Sequence, residues 1–291
     1  GSCVYQCPFG AISDRSSIVQ IIEKLKDTNN HVYAIVAPSI ASQFDYAKVL
    51  QVVTGIKKLG FYEVVEAALG ADMVAYSEAQ ELVEKGELTS SCCPAFVRYI
   101  KRNFPMLAEK ISHNPSPMVA LSRYLKSIDD KAVTVFIGPC TSKKREALET
   151  EDGAVDFVMT FEELQAIFNG KEIEIAELEE TPLDNASYFG RIFARIGGLT
   201  EAAAQAIKEQ NLDFEVKPCV CDGIDNIKLA LNKMKRGQAD FNFLEGMACL
   251  GGCIGGPCNI THEIKDKMDV DKFGRTSKEE GIISLNLIKQ D

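Results

Sequence analysis

Two segments of this chain carry almost no polar residues: Val32-Tyr33-Ala34-Ile35-Val36-Ala37 and Ala132-Val133-Thr134-Val135-Phe136-Ile137. A strand with one wet face alternates apolar and polar side chains, so runs like these imply strands covered on both faces. Around them the periodicity becomes helical. Ile18 to Leu25 is amphipathic, a helix is expected from about Gln43 to Leu59, Glu63 to Ala67 reads as a strand, and a helix follows through Glu84. Phe157 to Phe161 reads as a further strand, with helices near 162–168, 199–210 and 224–235. Such alternation implies an α/β fold of mainly parallel twisted sheets flanked by helices, with ligands bound beyond the carboxyl ends of the strands. Glu151-Asp152-Gly153 and Glu179 to Asp184 read as linkers between two lobes.

The chain has 291 residues and a net charge of −10. That charge argues against nucleic acid as a partner, because phosphate binding needs a basic face. No apolar stretch reaches the roughly 20 residues a membrane helix requires, and no export signal opens the chain. A cytoplasmic protein is therefore expected.

Ten cysteines are the unusual feature, against only three histidines (His31, His113 and His262). Thiols at close, irregular spacing in a cytosolic chain point to metal or catalysis before disulfides. No Cys-x2-Cys pair is present, and a mostly thiolate donor set leaves iron–sulfur chemistry or structural zinc. At the start, Cys3-Val4-Tyr5-Gln6-Cys7-Pro8 has the form of the end of a bacterial ferredoxin run without its upstream cysteines. Residues 1–12 thus read as the remnant of a truncated ferredoxin-like 4Fe–4S domain that holds no cluster, and residues 13–291 as the main domain.

Three further motifs carry the chemistry. The first is Thr89-Ser90-Ser91-Cys92-Cys93-Pro94-Ala95-Phe96, in which adjacent thiols must diverge. In the second, Gly138-Pro139-Cys140-Thr141-Ser142-Lys143-Lys144, two lysines follow the cysteine at a strand end, a setting that favours thiolate. The third, Glu245-Gly246-Met247-Ala248-Cys249-Leu250-Gly251-Gly252-Cys253-Ile254-Gly255-Gly256-Pro257, surrounds two cysteines with glycines that let backbone approach a bulky group. Singly, each thiol is more often a small buried hydrophobe than a ligand.

In this order and with these flanks the motifs resemble the signature segments of the [FeFe]-hydrogenase family, and the resemblance extends from about residue 16 through nearly the whole chain. It looks closest to the monomeric clostridial group B type, because Gly138-Pro139-Cys140 stands where Met-Pro-Cys is usual. The resemblance implies two lobes with the H-cluster between them. Cys93, Cys140, Cys249 and Cys253 would hold a [4Fe–4S] cube, with Cys253 also bridging to a diiron subcluster that carries CO, cyanide and a dithiolate bridge. Lys143 would donate to one cyanide, and Pro38 and Ser39 would meet the other. Phe193 and Met247 would form apolar wall, although a Met or Phe at a strand end is by default ordinary core. Cys92, Glu78, Ser112 and Glu81 would relay protons, with Lys85 as the basic position; Glu146 is expected to pair with a nearby lysine and to be structural. By themselves, Glu78 and Glu81, three apart on a helix, read first as a solvated face.

The activity implied is reversible oxidation of H2 to protons and electrons, with ferredoxin-like carriers or missing upstream 4Fe–4S domains as electron partners and hydrogenase maturation proteins supplying the diiron unit. The alternatives are an H2-sensing module with little turnover, a relative serving iron–sulfur assembly, and a structural zinc protein. Two positions depart from the family pattern: Gly138, expected to open space, and Met118, where a glutamine is common. Cys219, Cys221 and Cys258 match no ligand position; the first two share a strand face, and Cys258 reads as an inert surface thiol.

Overall fold

The computed structural model of the chain describes residue 3 and residues 7–263, 265–279 and 281–282. Most of the segment before Cys7 thus lies outside the described residues; Cys3 is exposed and Cys7 half-buried.

Two separate sheets, both parallel, organise the fold. The first contains β1 (His31–Val36), β2 (Glu63–Glu66), β4 (Ala132–Gly138) and β5 (Phe157–Thr160) in the order β2-β1-β4-β5. The two apolar runs are its central neighbours, with Val32 opposite Val133 and Val36 opposite Ile137. Their side chains pack against Ile21 of α1 (Ile18–Lys26), Val52 and Ile56 of α2 (Val49–Lys58), Leu121 and Leu125 of α5 (Pro117–Ile128), and Phe161 and Leu164 of α7 (Phe161–Gly170).

The second sheet is smaller: β3 (Leu88–Thr89), β7 (Phe243–Met247) and β6 (Pro218–Asp222), in the order β3-β7-β6. Along β7, Phe243 and Met247 face α3 (Ala67–Lys85) and α9 (Gly198–Glu209), whereas Leu244 faces α4 (Pro94–Asn103) and α10 (Ile224–Lys235). Successive strand residues point to opposite faces, so this sheet too is covered on both sides.

α3 joins the sheets: it leaves β2 and ends three residues before β3. Its nineteen residues span roughly 28 Å at the helical rise. Ala68 and Leu69 belong to the first core, while Ala71, Ala75, Ala79 and Leu82 belong to the second. At the junction, Arg191 of α8 (Tyr188–Ile192) grips Glu66 at the end of β2 through two bonds of 2.7 and 2.8 Å, with both side chains buried. Nearby, Asp72 of α3 accepts from the Ser187 hydroxyl and amide.

Two expectations need correction. The helix foreseen from Gln43 begins at Val49, because Gln43 is spent elsewhere: its Oε1 accepts from the backbone N–H groups of Ile260 and Thr261. Glu151-Asp152-Gly153 is no boundary between lobes, since it joins α6 (Thr141–Glu149) to β5 within the first sheet. The 179–184 stretch does carry the chain from the first lobe to α8.

Candidate metal centre

The carboxyl ends of both sheets meet at one cavity, partly open to solvent, with about 70 Å³ of room for water-sized molecules. Pro38 reaches it from the end of β1, Ala67 from β2, Pro139 and Cys140 from β4, Cys92 from β3 and Met247 from β7. Lys143, Cys253, Met118, Phe136 and Phe193 complete its principal walls. The expected placement beyond strand ends is what the fold delivers.

Local sequence sets each thiol. Cys93 and Cys140 each stand one residue before a helix, α4 and α6, where the positive end of the helix dipole favours negative charge. The neighbouring Cys92 and Cys93 diverge: Cys92 packs with the group around Phe193 and Met247, and Cys93 with the group around Phe96. Cys249 and Cys253 sit on the glycine loop after β7. A side chain at Gly252, where φ is +88°, would place Cβ 2.8 Å from both the Ile196 amide nitrogen and the Met247 Sδ. At Gly256 it would lie 2.6 Å from the Pro139 carbonyl oxygen. These glycines let the loop close against the second motif, and the Cys258 amide donates to Pro139 at 3.0 Å.

Cys93, Cys140, Cys249 and Cys253 are only partly covered by protein. Burial pushes the Cys249 thiol up to about 12, with the sulfurs of Cys140 and Cys93 adding to the rise. Burial likewise raises Cys93, reinforced by Cys140, and raises Cys253, reinforced by Cys93, Cys140 and Cys249. Four sulfurs near enough to disfavour one another's charge are suited to a cationic iron–sulfur body, which binds thiolates and relieves that repulsion. Around a single zinc, thiolates would lie roughly 3.8 Å apart. Among the described residues no three Cys, His, Asp or Glu side chains are placed to share one ion. Four thiolates drawn from three separate motifs to one place suit the donor set of a [4Fe–4S] cube.

The cavity beside these thiols also fits an anionic guest. Lys143 is buried; its Nζ donates to the Cys92 carbonyl at 3.0 Å and to Glu146 at 2.7 Å. Those bonds leave one of three ammonium donors. Ser39, next to cavity-lining Pro38, is fully buried, and its Oγ has no hydrogen-bond partner in the protein. Lys144, the second lysine of the motif, is committed elsewhere, to Asp14 and Glu163.

Glu78 and Glu81 lie on α3 below Cys92. Glu78 is 1% exposed and neither carboxyl oxygen has a hydrogen-bond partner. Burial pushes its pKa up to about 8, against the lowering influence of the nearby Ser112 hydroxyl. Glu81 is instead held below the usual carboxylate range despite its burial, by Lys85 at 2.7 Å, the His113 amide and the Ser112 hydroxyl at 3.0 Å. Burial raises the Cys92 thiol well above its ordinary value, with Cys93, Cys253 and Glu78 adding to it. His113 and Asn114 were not foreseen. The His113 ring, largely exposed, meets Lys85 at 3.2 Å, and Asn114 donates to Glu81 at 2.8 Å. Neither lies in a cysteine motif, and their only sequence signal is adjacency to Ser112.

Comparison with known proteins decides the family. The model of the iron-only hydrogenase large subunit, C-terminal domain, matches residues 30–257. The chain belongs to this family. Iron hydrogenase 1 of Clostridium pasteurianum is 31% identical to it over an alignment covering 91% of this chain and 56% of that protein. A probable cytosolic Fe–S cluster assembly factor of Culex quinquefasciatus is 24% identical, over 70% of this chain and 55% of its own length. The chain thus spans about half the length of the curated relatives it matches. In fold, it superposes on a variant of the [FeFe]-hydrogenase HydA1 of Chlamydomonas reinhardtii with a TM-score of 0.79 at 22% identity, covering 94% of this chain and 93% of the other. This iron-only hydrogenase domain has no helix, among its described residues, long and apolar enough to cross a membrane.

Two readings of the departures from the family pattern are overturned. Gly138 does not open space, because a Cβ there would lie 2.5 Å from the Phe136 ring, which folds over it on the same face of β4 and lines the cavity itself. Cys258 is not a surface thiol: it is 1% exposed, and burial pushes it up to about 12. Met118, buried in the cavity wall, presents a thioether where an amide would bring hydrogen-bonding groups.

Proposed function

We propose that this domain is the H-cluster-binding part of an [FeFe]-hydrogenase and interconverts H2 with protons and electrons. The observation that carries the reading is the single cavity in which Cys92, Cys140, Cys253 and Lys143 meet beneath apolar walls. Cys93, Cys140, Cys249 and Cys253 would hold the [4Fe–4S] cube, and Cys253 would bridge to the diiron subcluster with its CO, cyanide and dithiolate ligands. When bound, these groups supply the electrons and the open metal position at which H2 is made or split.

The protein's own residues do the rest. The Lys143 ammonium would offset the charge of a cyanide ligand, and it is held in place by Glu146 and the Cys92 carbonyl. Pro38, Phe193 and Met247 line the cavity with apolar surface, Pro38 and Ser39 would meet the other cyanide, and exclusion of water strengthens every charge interaction inside. Cys92 Sγ holds the proton nearest the reaction. Glu78, neutral at pH 7, stores the next, and Ser112 Oγ connects it to Glu81 and Lys85 at the solvent side. Passage through Glu78 requires a carboxyl rotation or a bridging water, since its oxygens are unbonded at rest. Ferredoxin-like carriers or upstream 4Fe–4S domains would exchange electrons with the cube, and maturation proteins would deliver the diiron unit.

The test is reconstitution with iron and sulfide, followed by a diiron precursor. Infrared CO and cyanide stretches together with H2 evolution from a reduced viologen support the reading. Cys92→Ala should keep the stretches yet lose activity by at least about 100-fold, the usual scale for a removed proton donor. Cys93→Ala should lose the iron–sulfur absorbance altogether. Wild-type turnover by Cys92→Ala removes the thiol from the relay. The infrared bands with H2 binding but no turnover would mark a sensory module, and a cube that never takes up the diiron unit would place the chain beside the assembly factors.

A further inference from the structure

Cys219 and Cys221 lie outside everything assigned above. They sit on one face of β6, and their Sγ atoms are 3.6 Å apart. Cys219 is half-buried, Cys221 is 7% exposed, and Val220 between them faces outward at 43%. β6 is an edge strand of the second sheet, paired on one side only, to β7.

We propose that Cys219 and Cys221 form a reversible dithiol site that reacts as a pair with low-molecular-weight disulfides. The reaction balances without any other oxidant. Cys219 thiolate attacks one sulfur of the external disulfide; the S–S bond breaks, and the other external sulfur leaves as a thiolate that takes up a proton from water. The mixed disulfide so formed is attacked by Cys221 as it gives up its proton, the Cys219–Cys221 bond closes, and the second external sulfur leaves and takes up the proton. Two protein thiols are oxidised, and one disulfide is reduced to two thiols.

The chemistry of each position matches its part. The Cys221 thiol hydrogen-bonds to Cys219 and lowers its pKa below the usual thiol value, helped by the Lys233 ammonium and opposed by burial and Asp240, so Cys219 is the one of the two that favours thiolate. That same bond, with burial adding to it, holds the Cys221 proton on. The attacking sulfur is therefore the more exposed one and the resolving sulfur the buried one, as stepwise exchange requires. Two residues along a strand span about 6.6 Å between Cα atoms, near the upper limit for a disulfide. Closure must pucker the strand, which an edge strand tolerates better than a central one. A bond formed under such strain is readily reduced, so the site is reversible and not a structural staple. The next residue, Asp222, accepts from the Gly251 amide at 2.7 Å, so β6 touches the loop that carries Cys249 and Cys253.

Iron–sulfur-loaded chain, handled anaerobically, is titrated with oxidised glutathione, its free thiols are alkylated, and the peptide spanning both residues is weighed. The expected result is an internal disulfide (a loss of two hydrogen masses) that dithiothreitol reverses. Cys221→Ser should trap one glutathione on Cys219, and Cys219→Ser should leave Cys221 unreacted at the same dose. Persistent glutathione adducts in the wild-type chain, or two fully alkylated thiols at a dose that modifies Cys219 in Cys221→Ser, would overturn the proposal. The serine variants keep their iron content if folded, which separates a failed pair from a failed fold.

Discussion

The two sheets divide the labour of this domain unequally. The four-stranded sheet rests on long apolar strands packed against α1, α2, α5 and α7, and supplies one of the four clustered thiols, Cys140. The three-stranded sheet has one strand of two residues and an edge strand reading Pro-Cys-Val-Cys-Asp, yet the ends of β3 and β7 deliver Cys93, Cys249 and Cys253. The larger sheet is a self-sufficient scaffold. The smaller one presents most of the donors with less core to hold them, so bound metal should stabilise it more, because binding energy released on folding stabilises what it touches.

The sharpest break of that comparison is metal removal. Stripping iron from the reconstituted chain should raise amide exchange in β3, β6, β7 and residues 248–258 by roughly tenfold or more, while β1 and β4 change little. Equal loss in both sheets, read by exchange mass spectrometry, would refute the asymmetry.

Next in size is the joint between the sheets. Arg191 is fully buried and bonded to Glu66 and Asp184, and its guanidinium lies 4.5 Å from the centre of the Phe273 ring. Arg191→Met leaves Glu66 charged and buried, which should cost about 3–5 kcal/mol in urea unfolding. Glu66→Leu combined with Arg191→Met should recover most of that loss, because the charge is then gone from both sides. No recovery would mean that the pair also holds the lobes in register.

These contrasts follow what could be read in the sequence. The first sheet was legible because a strand buried on both faces leaves an uninterrupted apolar run, as in Val32 to Ala37. The second was only partly so: Leu88–Thr89 is too short to show any period, and Val220 points outward between its two cysteines. The cysteine motifs and Lys143 were legible because their chemistry is local. Three-dimensional substitutions were not. Phe136 filling the room beside Gly138, Gln43 leaving its expected helix to bind residues 260 and 261, and the burial of Cys258 each depend on a partner distant in space or on a ring orientation no pattern encodes.

The Phe136 arrangement gives a smaller test. Gly138→Ala places a methyl 2.5 Å from the ring, so the phenyl must move into the cavity or the strand must shift. Overpacking of this kind costs about 1–3 kcal/mol, and Phe136→Leu in the same chain should relieve it. A neutral Gly138→Ala, measured by urea unfolding, would show that the ring has room to turn.

A pH-dependent contrast separates Glu78 from its helix neighbour Glu81. Burial raises Glu78 from its ordinary 4.5 to about 8, so the folded chain holds a proton there that the unfolded chain has released. The stability this contributes is complete below pH 4.5 and is lost as pH rises towards 8. Within that window the wild type should lose up to about 1.4 kcal/mol per pH unit from this group. Asp72, raised to about 7 by burial, and Glu245, raised in the same way, tilt the whole curve in the same direction, so only the difference from Glu78→Gln isolates the residue. The variant should show a shallower fall between pH 5 and 8, with iron loading kept equal in both chains. Glu81 has the opposite sign: Lys85 and the Ser112 hydroxyl hold it below its ordinary value, so its contribution is present above pH 4.5 and lost as the solution becomes more acidic than that. Glu81→Gln should therefore lose stability at neutral pH and converge on the wild type in acid. Parallel curves for the Glu78→Gln and wild-type chains would mean that Glu78 is charged in the folded state, and would remove the stored proton from the relay.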